Sequence, residues 1–211
     1  MRNKWFYIHS LNLIIIYMVG VCGIVLTNPE QQQLFLQITP LNLIVTTIFA
    51  LLFHPKWNGS FIASGLIVLL FGFFVEVIGV KTGVIFGTYW YGKTLGVKLL
   101  EVPVMIGVNW FLLVYLIAAV LHKIRNVFSF AAIAAAVMTL LDVFIEPVAI
   151  KLDFWQWQND IIPLQNYIAW YLISFLLFLF FRKVNGTIQN RIAIIVLAIQ
   201  FLFFAVLNLL L

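Results

Sequence analysis

Seven acidic residues are spread along a chain of 211, and four of them lie inside or at the ends of long apolar runs: Glu76, Glu101, Asp142 and Glu146. The other three, Glu30, Asp153 and Asp160, fall in polar connections. Asp142 and Glu146 are spaced i, i+4, which puts both on one face of a helix. An ionised carboxylate in hydrocarbon is costly, so such groups face protein or water and commonly carry function. Burial disfavours the charged form of any carboxyl. A carboxylic acid that keeps its proton near neutral pH is what protonation of an apolar substrate requires. The competing reading pairs these acids with Lys81, Lys98 or Lys151 as solvated helix ends, and it applies most readily to Glu101.

The two longest connections, 81–101 and 151–160, carry the aromatic residues that would sit over such acids. The first contains Tyr89-Trp90-Tyr91; the second contains Trp155-Gln156-Trp157 and is followed by Asn166 and Trp170 at i, i+4. Ring faces attract positive charge, so these clusters suit a cationic intermediate. Their plainer role is an interfacial belt, which accounts for Trp5, Trp57 and Trp90. Asn109, eight residues after Glu101, shares roughly its helix face, and an amide inside a membrane helix needs a partner or holds a water. His9, His54 and His122 are scattered at the opposite helix ends and form no metal cluster. The single Cys22 permits neither an internal disulfide nor a Cys-based metal site. No metal or cofactor is expected.

The elements that must position these residues follow from composition. The chain is 64% hydrophobic and only 9% charged, with a formal net charge of +5. Soluble domains hold about 45–50% apolar and about 25% charged residues, which excludes a soluble enzyme or a nucleic-acid binder. A bilayer core needs roughly 20 apolar helical residues. Seven stretches qualify: 6–26, 34–53, 60–80, 102–121, 127–150, 161–181 and 192–211. The first is too long, and lacks the small-residue cleavage pattern, for a secretory signal. Gln37, Pro40 and Asn42 interrupt the second, so a kink or late start is expected there. The run from Ala131 to Ala136, broken by Ile133, reads as a close helix-packing surface. The fold class is therefore all-α, a polytopic integral membrane protein with a bundle of about seven transmembrane helices in one domain, 1–211.

Lys/Arg placement sets orientation. Eight of the twelve mark one set of ends, and Lys81, Lys93, Lys98 and Lys151 mark the other. The N-terminus is placed in the cytoplasm and the C-terminus outside the plasma membrane, with both long connections and all four acids toward the outer side. A retinal protein is excluded because 192–211 has no Lys for a Schiff base. A membrane prenyltransferase would need two Asp-rich motifs, and the chain offers one Asp-x-x-x-Glu with no basic cluster beside it. A proton-coupled transporter stays open, although no inverted repeat or pair of broken helices supports it.

Two longer motifs carry a family resemblance. One runs from Glu76 through Gly79, Thr82-Gly83, Phe86-Gly87 and Tyr89-Trp90-Tyr91 to Pro103 and Trp110; the other runs from Leu141-Asp142 through Glu146-Pro147, Phe154-Trp155-Gln156-Trp157 and Pro163 to Asn166 and Trp170. Together they resemble the membrane carotenoid hydratases that act on γ-carotene or bisanhydrobacterioruberin ends, with the likeness concentrated in residues 72–172. The resemblance implies addition of water across the terminal double bond of a linear carotenoid, in a lipid setting shared with other carotenoid-pathway enzymes. Asp142 or Glu76 would protonate the alkene. Tyr89, Tyr91, Trp155, Trp157 and Trp170 would line the cation, and Glu146 or Glu76 would deprotonate a water oriented by Asn166, with Asn109 and Glu101 near the substrate. A carotenoid end-cyclase begins with the same protonation and stays open, as does a non-catalytic carotenoid-binding role.

Overall fold

Asparagine starts four of the helices. In this computed structural model, which describes residues 2–211 with side chains from residue 4 onward, the side chains of Asn28, Asn58, Asn126 and Asn190 each accept the N–H of a first-turn residue. Such caps satisfy donors that a helix leaves unpaired. The helices are α1 (Arg2–Val25), α2 (Pro29–Gln37), α3 (Thr39–Leu52), α4 (Gly59–Thr82), α5 (Met105–Val120), α6 (Val127–Lys151), α7 (Leu164–Asn185) and α8 (Arg191–Leu210). Among the described residues, five helices are long and apolar enough to cross a bilayer, namely α1, α4, α6, α7 and α8. The pair α2 and α3, bent by 40°, has together the length and apolar character of a sixth span or of a re-entrant loop. The bend falls at Ile38, two residues before Pro40, where the sequence predicts an interruption.

α5 departs from the expected 102–121. It has 16 residues, about 24 Å of helix, and twelve of them are buried. Residues 98–103 do not extend it because they pair with one another: β2 (Lys98–Leu99) and β3 (Val102–Pro103) form a hairpin. Its two turn residues, Leu100 and Glu101, both have positive φ, 52° and 73°, as a type I′ turn requires. A short helix suffices here because α3, α4, α6, α7 and α8 all pack around it.

Two packing features set the geometry above the acids. On α6, Ala131, Ala134 and Ala135 are fully buried, and the helix packs most extensively on α7. On α4, Gly72 and Gly79 lie one heptad apart on a buried face. A Cβ at Gly72 would come within 2.4 Å of the Trp110 ring, and one at Gly79 within 2.6 Å of Phe86 and 2.9 Å of the Tyr89 hydroxyl. Glycine at these positions lets large rings lie directly on the helix backbone.

The two long connections join as a strand pair. β1 (Tyr89–Tyr91) runs antiparallel to β4 (Trp155–Trp157), with Tyr89 opposite Trp157 and Tyr91 opposite Trp155. Gly92 N–H donates to the Phe154 carbonyl and Gln158 N–H to the Thr88 carbonyl, each at 2.9 Å, extending the ladder at both ends. Gln165, at the start of α7, donates to the carbonyls of Val84 and Ile85 and ties that helix to the loop before β1.

Candidate active site

Strand alternation decides which rings meet the acids. Successive side chains point to opposite faces, so Tyr89 and Tyr91 turn inward while Trp90 is 51% exposed. Trp155 and Trp157 share the inward face of β4. Gln156, on the other face, donates to the Ile150 carbonyl.

Glu76, on α4, is buried and accepts three hydrogen bonds. Its Oε2 takes the hydroxyls of Tyr89 at 2.5 Å and Tyr91 at 2.8 Å, and its Oε1 takes the Trp110 indole N–H at 3.1 Å. Burial first, and the nearby Glu76 charge second, hold both tyrosine hydroxyls above the usual phenol range. They therefore stay protonated and serve as donors.

Glu146, on α6, also accepts three. The indoles of Trp155 and Trp157 donate to its Oε2 at 2.9 and 2.7 Å. Asn166 Nδ2 reaches its Oε1 at 3.1 Å. The same amide nitrogen donates to Asp142 Oδ2 at 3.0 Å, so Asn166 bridges the two acids of α6. Among the described residues this is the single hydrogen bond to the Asp142 carboxyl. The partners of all three acids are thus rings and an amide, not the lysines of the competing reading.

Glu76, Asp142 and Glu146 wall one cavity of about 30 Å³, room for about one water. Tyr89, Tyr91, Trp155 and Trp157 cover it; Asn109, Asn166 and Trp170 also line it. Of the sequence candidates, Glu101 alone stands apart among the described residues, exposed at the hairpin tip. Its helix-face relation to Asn109 does not arise, because residue 101 precedes α5. Trp110 also lines the cavity, and the sequence candidates omit it. It is fully buried, binds Glu76 and stacks on Trp170 at 4.3 Å between ring centroids and 10° between planes. The signal was an indole N–H in an apolar helix, which must find an acceptor.

Fold and site together define a polytopic all-α membrane protein that encloses three carboxyls beneath an aromatic strand pair. The chain belongs to the carotenoid biosynthesis protein family, whose model matches residues 38–211. It is also similar to bisanhydrobacterioruberin hydratase of Haloarcula japonica, at 32% identity over 112 residues. That stretch covers 49% of this chain and 38% of the relative, so the chain spans well under half of the relative's length. No solved structure matches the chain.

Proposed function

We propose that the protein is a membrane carotenoid hydratase, adding water across the terminal double bond of a linear carotenoid end. The observation that carries this is the shared cavity: three carboxyls, ring faces and room for about one water in a single enclosure. A carboxylic acid gives its proton to the less substituted alkene carbon, leaving a tertiary cation. The water oxygen bonds to that cation, and the water's proton passes to a second carboxylate; the acid is left charged and the base protonated, and return of that proton from base to acid resets the site for the next turnover. Asp142, which accepts one N–H, has oxygen free to hold the proton delivered to substrate. Glu146 accepts three, which fix its two oxygens in place beside the cavity, and a carboxylate so oriented suits a base. Glu76 keeps Tyr89, Tyr91 and Trp110 in place around the cation. The ring faces stabilise positive charge without attacking it.

The Lys/Arg distribution supports a cytoplasmic N-terminus in the plasma membrane, with the whole chain acting as one domain. The test is pigment analysis in a host that makes lycopene or γ-carotene. A product heavier by one water is expected from the wild type and none from Asp142→Asn at equal membrane content. An isomeric ringed product would identify a cyclase instead, and unaltered pigment would reject both.

A further inference from the structure

At about 30 Å³ the carboxyl chamber is too small for a carbon chain. Beside it lies a second cavity of about 350 Å³, within the range of small-molecule sites. Its walls are mainly apolar, with Ile16, Gly20 and Ile24 from α1, Leu113 from α5, Leu141 from α6 and Phe203 from α8. Four residues line both cavities: Ile106, Asn109, Ile145 and Trp155. The Trp155 N–H is already committed to Glu146. The Asn109 side chain, among the described residues, has no hydrogen-bond partner. The large cavity also reaches the outside of the bundle. Ile15 and Val19 of α1 and Ile38 at the α2–α3 bend line it while being 48%, 51% and 52% exposed.

We propose that this cavity is the binding channel for the isoprenoid chain of the substrate. The chain enters sideways from the bilayer beside α1 and the α2–α3 bend, lies between α1, α5 and α8, and presents its end to the carboxyls past Asn109. The inference rests on the reading of the chamber as the place where a carotenoid end reacts, and adds where the rest of the molecule lies. The carboxyl chamber falls wholly within the family match at 38–211, whereas the α1 wall of the channel lies outside it.

Gly20 offers a direct test. A Cβ there would sit 3.5 Å from Phe203, an ordinary contact, so a larger side chain grows into the channel without displacing backbone. Wild type, Gly20→Leu, Gly20→Phe and the lipid-facing control Ile67→Phe would be purified from a host making a linear carotenoid. Visible absorbance of bound pigment per protein, thermal unfolding and pigment conversion would be measured on each. Wild type and Ile67→Phe are expected to hold pigment. Gly20→Phe should lose at least ten-fold of it and Gly20→Leu an intermediate amount, with unfolding midpoints unchanged. If Gly20→Phe does not accumulate, Gly20→Leu decides the matter alone. Equal pigment in the Gly20 variants and wild type, or none in wild type, overturns the channel. The two readings separate cleanly: pigment lost on filling Gly20 with no product from any variant keeps the channel and rejects the hydratase. Equal product from all variants does the reverse.

Discussion

Helix α5 carries a buried polar network at each end, and the two are built on opposite plans. At the strand-covered end, Trp110 joins Glu76, and the neighbouring network holds Asp142, Glu146 and a cavity. Five residues further along, the Tyr115 hydroxyl meets His54 Nδ1 at 3.1 Å and accepts from Asn190 Nδ2 at 2.7 Å, and Asn190 also donates to the Ala50 carbonyl. Nearby, Arg182 donates to the carbonyls of His122, Ile124 and Gly186 and sits 4.2 Å over the Phe130 ring. The Tyr115 network is made of side chains and main-chain carbonyls that join α3, α5 and α8, with no acid in it. Buried polar groups alone do not mark a reaction site in a membrane bundle. What sets the strand-covered end apart is three carboxyls held by donors around a cavity.

Substitutions at the two ends should sort accordingly. The largest effect is expected for Asp142→Asn, which keeps shape and loses the proton: product formation should fall about 10²–10⁴-fold, the usual contribution of a general acid, as measured by pigment conversion at matched expression. Conversion near wild type would remove Asp142 from the acid role. Next, Trp157→Phe deletes one of three donors to Glu146. A single lost donor to a charged group corresponds to roughly a ten-fold drop in conversion, with pigment binding kept.

At the opposite end Asn190→Ala should do the converse. It leaves the Ala50 carbonyl and Tyr115 hydroxyl without their shared donor, so stability should fall by about 1–3 kcal/mol. Conversion per folded protein should hold. A stability loss without an activity loss is what separates the two plans, and a large activity loss would merge them. The smallest effect is spectroscopic. Because the folded values of Tyr89 and Tyr91 are raised, both stay protonated as pH climbs past the unfolded phenol value of about 10. The stability they contribute is complete below that pH and declines above it. Ultraviolet titration of the folded protein should therefore show the same phenolate amplitude near pH 10.5 for wild type and Tyr91→Phe.

Much of this arrangement could be read from the residues. The long apolar runs located the five long helices and the bent pair, Pro40 marked the bend, and only 102–121 overran the shorter α5. The rarity of acids in those runs drew attention to Glu76, Asp142 and Glu146. The pairing of β1 with β4 was not legible, because three-residue strands more than sixty positions apart carry little local signal. The pattern Tyr-Trp-Tyr against Trp-Gln-Trp does alternate with period two, and this is what aims four rings at two carboxyls. Glu101 misled because an acid just before an apolar run looks like a helix start. The hairpin that holds it depends on positive φ at Leu100 and Glu101, which neither residue type advertises. The large cavity had no sequence signature at all, since its walls are mainly ordinary aliphatic and aromatic side chains from six helices.

The bridge made by Asn166 has a consequence for the order in which the protein is made. Synthesis proceeds from the N-terminus at about 5–20 residues per second, so α4 is made before the donors to Glu76, and α6 before Trp155 and Trp157. Tyr89 and Tyr91 follow Glu76 by 13 and 15 residues and Trp110 by 34, whereas Asn166 follows Asp142 by 24. A nascent chain halted before Leu164 holds Glu146 by its indoles alone and gives Asp142 no partner from this network. The carboxyl chamber thus lacks the amide that joins its two α6 acids until the seventh helix arrives, and its hydrogen-bond network closes late in synthesis.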